Sequence, residues 1–254
     1  MTEAIGVVSR VNGPVVHARG SMQVRMGELV GVGEDHLVGE VIGLNNDIMT
    51  IQVYEETSGL TPGSPVFGTG APLSVELAPG LLGGIFDGIQ RPLTVIEAKF
   101  GEFINRGIQL PSLDREKKWH FVPSAAVGDS LEGGATLGSV QETILVNTKT
   151  MLPPDVKGRL AWLAPEGDYT IEETIARLDD AGQQREVSML QRWPVRFPRP
   201  IKERLEKNTP LITGQRILDS FFPIVKGGTA AIPGGFGTGK TITQHQIAKW
   251  ADAD

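Results

Sequence analysis

The sequence has no cysteine and only four histidines, and aromatic residues make up 6% of the chain. Without cysteine the protein cannot contain a disulfide scaffold, a thiolate zinc site or a thiol nucleophile. The histidines are too far apart in the sequence to have metal-ligand spacing, and they are His17, His36, His120 and His245. We therefore expect no zinc site.

Long hydrophobic runs are also missing. No stretch of about 18 apolar residues occurs, so the sequence predicts no membrane-spanning helix. The first residues do not resemble a signal peptide, because Glu3 stands where positive charge is required and Gly13-Pro14 interrupts the apolar stretch. These features predict a cytoplasmic protein.

Glycine and proline are abundant, with 32 and 17 residues respectively, which predicts frequent turns, short strands and few long helices. The formal net charge is -6, yet residues 191–254 hold ten basic against five acidic residues. The chain is long enough for two or three small domains, each with its own core. The composition is that of a soluble globular protein.

The distribution of turn signals predicts four segments. Residues 1–70 contain short β-rich runs and predict a small closed β-barrel. Residues 71–110 form the first part of a larger domain and contain apolar residues at helical spacing over Leu81–Ile89, which predicts a short helix ending before Pro92. Residues 111–190 predict an inserted β-rich domain. Residues 191–254 predict a return to the larger domain.

The last of these segments opens on a proline-rich stretch. RWPVRFPRP (192–200) is unsuited to a helix or an inner strand. Helical patterns follow in IKERLEK (201–207) and RILDSFF (216–222), and Thr229–Pro233 predicts a short buried strand. A final helical run begins near Lys240.

One motif predicts chemistry. Gly234, Gly239, Lys240 and Thr241 satisfy every fixed position of the phosphate-loop pattern G-x-x-x-x-G-K-[ST], between a predicted strand and a predicted helix. Glycines suit such a loop because its backbone N–H groups must approach a phosphate closely. The free N–H groups at the start of the helix and the ammonium of Lys240 add positive charge. The Thr241 hydroxyl is placed to ligate the Mg²⁺ that bridges the β- and γ-phosphates.

Several further motifs are spread along the whole chain before the phosphate loop: FDGIQRPL (86–93), LDREKKWHF (113–121), LPPDVKG (152–158), GDYTIEE (167–173) and RWPVRFPRP (192–200). The stretch 208–254 includes the phosphate loop and its Phe236. In these motifs, in their order, and closely over 208–254, the sequence resembles the catalytic A subunits of V-type and archaeal-type rotary ATPases. The chain departs from the family at Gly235, where A subunits commonly carry Pro or Ala.

This resemblance implies a fold and a function. It implies a multidomain β plus α/β protein: an N-terminal six-stranded β-barrel, an inserted β-rich bulge domain and the start of a RecA-like P-loop domain. It implies binding of ATP or ADP with Mg²⁺, and Lys240 is the residue of this chain with a predicted catalytic role. The nucleotide contacts are expected from the whole loop: Gly234, Gly235, Phe236, Gly237, Thr238, Gly239, Lys240 and Thr241. Thr241 is the predicted metal ligand.

The resemblance also implies partners. A subunits alternate with B subunits in an A3B3 hexamer, contact central and peripheral stalk subunits, and act with a membrane sector that moves protons or sodium ions. That places the protein on the cytoplasmic side of a membrane. The chain looks like the N-terminal part of a subunit more than twice as long, and the catalytic glutamate, the Mg²⁺-binding aspartate and the arginine finger of the family have no counterpart in it. We therefore assign no general base here.

Two alternatives stay open from the sequence. A chain of this length could serve as a non-catalytic assembly module of the same complex. The protein could also be a relative of F-type, secretion or flagellar ATPases, but the predicted inserted domain argues against this alternative.

Other candidate sites in the sequence have weaker support than the phosphate loop. RWPVRFPRP alternates arginine with aromatic residues, but its prolines and the acidic total favour an interdomain linker over a nucleic-acid surface. Adjacent acids at Glu172-Glu173 and Asp179-Asp180 are expected to be solvated, and Thr148–Met151 to form a plain turn.

Overall fold

The computed structural model describes residues 4–20, 24–201, 203–204 and 206–252. Glu3, Lys202 and Leu205, which entered the sequence-based predictions, lie outside these residues. The chain divides into two compact units, Met1–Arg199 and Pro200–Asp254.

The first unit begins with a closed antiparallel barrel of six strands in the order β1-β2-β5-β4-β3-β6. The strands are β1 (Ala4–Asn12), β2 (Val15–Gly20), β3 (Glu28–Val32), β4 (Leu37–Asn45), β5 (Ile48–Val53) and β6 (Pro65–Pro72). Closure leaves no unpaired strand edge, which suits a barrel of such short strands. Inward-facing side chains such as Val16, Ile51 and Val66 are fully buried and form its core. The predicted six-stranded barrel is confirmed.

A strand and a helix follow the barrel: β7 (Ser74–Leu77) and α1 (Leu93–Phe100). The predicted helix over Leu81–Ile89 is wrong, because this stretch consists of turns and one isolated β-bridge. The Asp87 carboxylate accepts hydrogen bonds from the backbone N–H groups of Ile89 and Arg91, at 3.1 and 2.8 Å, and so stabilises a turn. Pro92 precedes the first residue of α1, a position that proline tolerates well because it needs no N–H donor there.

The inserted region consists of two four-stranded sheets, β11-β10-β8-β13 and β15-β14-β12-β9. Its strands are β8 (Trp119–Pro123), β9 (Ser130–Leu131), β10 (Thr136–Gln141), β11 (Asn147–Met151), β12 (Gly158–Leu163), β13 (Gly167–Tyr169), β14 (Thr174–Asp180) and β15 (Gln183–Ser188). Phe121, Leu137, Leu160 and Ile175 are fully buried in one shared hydrophobic core. Thr148–Met151 lies in β11, so the turn predicted there is wrong. Pairing of Thr136–Gln141 with Asn147–Met151 extends this segment into a strand.

A strand before the inserted region pairs with the strand that directly follows it. β16 (Gln191–Pro194) pairs antiparallel with β7, with Arg192 opposite Glu76 and Trp193 opposite Val75. Beyond β16, the Arg196 guanidinium contacts the barrel, where its Nε and Nη2 groups donate to the two oxygens of Glu40 at 2.5 and 2.6 Å. The Tyr54 hydroxyl donates to the same carboxylate. The proline-rich stretch is therefore attached to the barrel by a bidentate ion pair.

The second unit contains β17 (Pro210–Leu211), α2 (Arg216–Phe221), β18 (Ile224–Val225) and α3 (Lys240–Trp250). The helix predicted over RILDSFF is confirmed, but no described residue of IKERLEK is helical. The buried strand predicted over Thr229–Pro233 is wrong, because these residues form no ladder and are exposed or half-buried. A short strand needs partners, and the described strands of this unit pair only with each other.

The Glu40–Arg196 pair predicts a pH dependence of stability. Hydrogen bonding from Arg196 lowers the pKa of Glu40 below its ordinary value of 4.5. The pair therefore stabilises the fold above about pH 4.5, and this stabilisation is lost as the pH falls through the lower pKa of the folded state. In Arg196→Met we expect a lower Tm at pH 7 and a shallower fall of Tm between pH 5 and 3, measured by thermal denaturation. Arg19→Met, which removes an exposed pair 3.8 Å from Asp47, is the control and should leave the profile unchanged.

The close approach at Gly138 predicts a stability defect. A Cβ atom at this position would lie 2.4 Å from the Phe121 ring and 2.5 Å from the Val122 carbonyl oxygen, inside the core of the inserted region. Gly138→Ala should lower the free energy of unfolding by roughly 1–3 kcal/mol, as overpacking does elsewhere. Urea denaturation checks this. Gly88→Ala is the matched control, since a Cβ there meets nothing within 4 Å, and equal midpoints for the two variants would contradict the prediction.

Candidate phosphate-binding site

The phosphate-loop motif lies in a curved segment at the start of α3. Gly237 and Gly239 have φ angles of +76° and +83°, in the left-handed region that only glycine adopts without strain. Gly239 is the residue directly before the helix, so Lys240 and Thr241 are its first two residues. The predicted helix after the loop is confirmed in type and in starting position.

Two internal contacts hold the loop in this shape. The Thr238 hydroxyl donates a hydrogen bond to the Gly235 carbonyl oxygen at 2.9 Å, and the Lys240 ammonium donates to the carbonyl oxygen of Gly234. A Cβ atom at Gly234 would lie 2.5 Å from the Thr238 hydroxyl. A side chain at this position would therefore require the Thr238 hydroxyl to move.

The loop backbone is open to solvent. Cβ atoms built on Gly235, Gly237 and Gly239 would meet no heavy atom within 4 Å, leaving out their immediate neighbours, in the part of the chain that the structure describes. The Phe236 side chain is fully exposed. These three glycines thus have open space beside them, and the Lys240 ammonium is the side-chain group that reaches back to the start of the loop.

The start of α3 is electropositive. The first N–H groups of any helix have no partner within it, and the first turn of α3 carries no acidic residue to neutralise them. Thr241 is exposed, and Lys240 is half-buried beside the loop. Thr243 ties the first turn back to the loop, since its N–H and its hydroxyl contact the Gly239 carbonyl oxygen at 2.9 and 3.1 Å.

The far end of α3 is fixed by residues that the motif does not include. The backbone N–H of Asp252 donates to the Ile212 carbonyl at 2.9 Å, and the Asp252 carboxylate lies 3.1 Å from the Lys226 ammonium. Next to Ile212, Thr213 is fully buried, and both its N–H and its hydroxyl donate to Asp219, at 2.9 and 2.7 Å. These bonds lower the pKa of Asp219. The contact between Thr213 and Asp219 was not predicted from the sequence, where its only local signal is a threonine shortly before a short helix.

The remaining candidates have structural roles. Glu172 pairs with Arg115 at 2.9 Å, Glu173 accepts the Thr170 N–H, and Asp179 accepts the Gly182 N–H in the β14–β15 turn. Among the described residues, no group of three histidine or acidic side chains is arranged to hold a metal ion.

The helices that the structure describes are short, with 8, 6 and 11 residues. Within residues 4–20, 24–201, 203–204 and 206–252, none combines the length and apolar character needed to cross a membrane.

Protein-family models match three parts of the chain in order. They are the beta-barrel domain of the ATP synthase alpha/beta family over residues 8–70, the alpha/beta subunit barrel-sandwich domain over 110–196, and the nucleotide-binding domain over 214–254. The third match contains the whole phosphate loop.

Curated relatives are consistent with the family-model matches. The chain is 55% identical over 250 residues to the V-type ATP synthase alpha chain of Thermoanaerobacter sp. strain X514, covering 98% of this chain and 42% of that protein. It is 55% identical over 251 residues to the A subunit of the A-type ATP synthase of Thermococcus sibiricus, covering 98% of this chain and 43% of that protein. The chain thus spans about two fifths of the length of these relatives.

A solved structure supports the fold. The assembled ATPase EscN of the type III secretion system of enteropathogenic E. coli matches with a TM-score of 0.52 at 17% identity, over 98% of this chain and 39% of that one. At this identity the match shows a shared fold and leaves function to the closer relatives. The three family matches, which together cover most of the chain, show that the chain belongs to the ATP synthase alpha/beta family, and the named relatives to which it is 55% identical are the alpha chain of a V-type and the A subunit of an A-type ATP synthase.

Proposed function

We propose that this chain provides the phosphate clamp of the catalytic subunit of an ion-translocating rotary ATPase or ATP synthase. The observation that carries the proposal is the curved glycine loop that ends at the electropositive start of α3, inside the segment matched by the nucleotide-binding domain. Helix N-termini preceded by such loops bind phosphate because their N–H groups and dipole converge on one point. The ligand proposed here is ATP or ADP.

Each residue of the loop has a proposed role. The backbone N–H groups of residues 234–239 surround the phosphates, with Gly235 and Thr238 among them and the Phe236 side chain directed to solvent. Lys240 contributes a full positive charge, and at 4 Å from a phosphate oxygen such a contact is worth about 4 kcal/mol before desolvation is subtracted. In its bond to the Gly234 carbonyl, the ammonium already reaches across the mouth of the loop. When a nucleotide binds, the Lys240 ammonium would exchange the neutral carbonyl acceptor of Gly234 for a charged phosphate oxygen.

The residues also fit a magnesium ion. Thr241 is exposed in the first turn of α3, next to Lys240, where its hydroxyl could serve as a ligand to Mg²⁺ bound together with the nucleotide. Mg²⁺ would neutralise charge on the phosphates and orient them. One hydroxyl is a small part of a magnesium shell, and we assign no general base to this chain. Its proposed contribution is therefore to hold and orient the phosphates.

The proposed setting is an alternating A3B3 hexamer. The B subunit would flank the nucleotide, the central and peripheral stalks would contact the hexamer, and ion movement would occur in a separate membrane sector. The chain would then lie on the cytoplasmic side of the membrane through the complex. Family membership and the named relatives support this setting. The domain boundaries after residues 70, 110 and 190 belong to the same proposal.

Replacing Lys240 tests the clamp. In the full-length subunit reassembled with its partners, Lys240→Ala should lower ATP turnover at least about 100-fold, because the charge that the phosphates meet is lost. Lys249→Ala is the matched control, since it removes a lysine from the last turn of the same helix and should leave turnover near wild type. Turnover is measured as phosphate release from ATP. Wild-type turnover in Lys240→Ala would refute the assignment.

A second function, as an assembly module, is favoured by one observation. The Met1–Arg199 unit contains two buried hydrophobic cores, whereas no apolar side chain is buried among the described residues of Pro200–Asp254. On this proposal the 254-residue chain co-elutes with B subunit in size-exclusion chromatography and gives no saturable signal with a fluorescent ATP analogue. Saturable binding that Lys240→Ala removes would exclude it, as would failure to co-elute.

A further inference from the structure

A cavity of about 350 Å³ lies beside the strand β11 in the Met1–Arg199 unit. Successive side chains of a strand point to opposite faces of its sheet, yet Thr148 and Lys149 both line this cavity. The cavity therefore runs along the edge of β11, and not over one face of the sheet. Its other walls come mainly from apolar side chains, which include Leu77, Leu81, Leu82 and Met189.

The strand β11 has a free edge. It pairs with β10 on one side, and no described strand pairs with its other side. Just beyond its two ends, the Leu152 N–H donates to the Ala135 carbonyl at 2.8 Å, and the Val146 carbonyl accepts the Glu142 N–H at 3.0 Å. Both contacts lie on the β10 side. Because backbone groups alternate between the two edges of a strand, the even-numbered residues of β11 point their N–H and C=O groups towards β10.

The odd-numbered residues of β11 therefore point their backbone groups away from β10. Met151 follows this rule, since its carbonyl oxygen accepts a hydrogen bond from the Gln191 amide at 2.6 Å. The N–H and C=O groups of Asn147 and Lys149 face the same way and have no hydrogen-bond partner among the described residues. Such a row of unpaired groups is a template for another strand.

The other edges of the inserted region are less suited to pairing. The edge strands β9 and β13 have only two and three residues. The edge strand β15 is longer, but its residues Gln183–Glu186 are polar and exposed, so they provide no apolar surface for a partner. The edge of β11 combines unpaired backbone groups with an apolar wall beside them.

The charges beside this edge favour an acidic partner. Glu142 is the acidic residue of the cavity lining, and it already accepts three hydrogen bonds at 2.5–3.0 Å, from two backbone N–H groups and the Thr148 hydroxyl. The remaining charged residues of the lining are Lys149, which is exposed, and Arg199. Both are cationic, so a carboxylate beside the edge meets attraction and no unpaired acid.

We propose that the free edge of β11 binds an extended segment of a partner protein in which apolar and acidic residues alternate. The segment adds a fifth strand to the sheet, and its backbone exchanges hydrogen bonds with Asn147 and Lys149. Its apolar side chains pack against the wall that includes Leu81 and Met189, and a carboxylate pairs with Lys149. In this mode of recognition the main chain provides affinity and the side-chain contacts provide specificity. The site is separate from the phosphate loop, and its test needs no nucleotide.

Synthetic peptides test the proposal on the 254-residue chain. The probe is the pentapeptide Val-Glu-Val-Glu-Val with blocked ends, and binding is followed by amide hydrogen exchange in NMR spectra. At saturation the probe should slow exchange of the Asn147 and Lys149 amides at least about tenfold and leave β15 unchanged, because new hydrogen bonds protect only the amides that form them. A peptide N-methylated on its backbone should not bind. The lysine counterpart, Val-Lys-Val-Lys-Val, should bind more weakly than the probe.

Two substitutions at one position separate the backbone contact from the charge. Lys149→Gln keeps the N–H group and should weaken binding of the probe about twofold to fourfold, whereas Lys157→Gln, at an exposed lysine outside the cavity lining, should not weaken it. Lys149→Pro also removes the N–H group, which points out of the sheet, where proline is tolerated. It should bind at least about threefold more weakly than Lys149→Gln, at an unchanged Tm of the free chain.

Several results would overturn the proposal. These are unchanged exchange at Asn147 and Lys149, equal binding of the probe and the N-methylated peptide, equal binding of the acidic and basic peptides, or equal binding by Lys149→Gln and Lys149→Pro. If Lys149→Pro lowers the Tm, the comparison of the probe with the N-methylated peptide on the unsubstituted chain decides alone. A dimer in analytical ultracentrifugation that the probe dissociates would identify a second copy as the occupant and would also refute it.

Discussion

Charges that are taken out of water must be paired, and this requirement connects distant parts of the first unit. Glu40, in the barrel, is almost completely buried and holds Arg196, 156 residues away. Glu55 is similarly withdrawn from water and pairs with Arg91 at 2.6 Å. Such pairs add little net stability over an apolar contact, but breaking one leaves an uncompensated charge. These ion pairs therefore determine which segment lies against the barrel, and they contribute less to the stability of the fold.

The phosphate loop obeys a different constraint. Its backbone adopts left-handed angles at Gly237 and Gly239, and its outer side carries no covering side chains among the described residues. An arrangement of this kind is specified by glycine positions and by the start of a helix, both of which are local features. The pairing of β7 with β16 is the opposite case, since only tertiary folding brings these two strands together.

The differences between prediction and structure follow from this contrast. The barrel strands were predictable because alternation and turn residues act over a few positions, as at Ile48–Val53. The helix expected over Leu81–Ile89 does not form because the glycines and the Asp87 turn outweigh the apolar spacing. The strand expected over Thr229–Pro233 is missing for another reason. A strand is completed by partners, and a short local pattern cannot show whether they are present.

The sequence by itself determined the barrel, the phosphate loop, the helix that begins at Lys240 and the family resemblance, because each depends on residue types at fixed short spacing. The tertiary structure alone decided that β7 pairs with β16, that Glu40 receives Arg196, and that Thr150 and Arg199 lie beside one cavity. The physical reason is that these contacts join residues far apart in the chain, up to 156 positions for Glu40 and Arg196. Which distant residues contact one another depends on burial and pairing in the folded chain, and a local sequence pattern does not predict it.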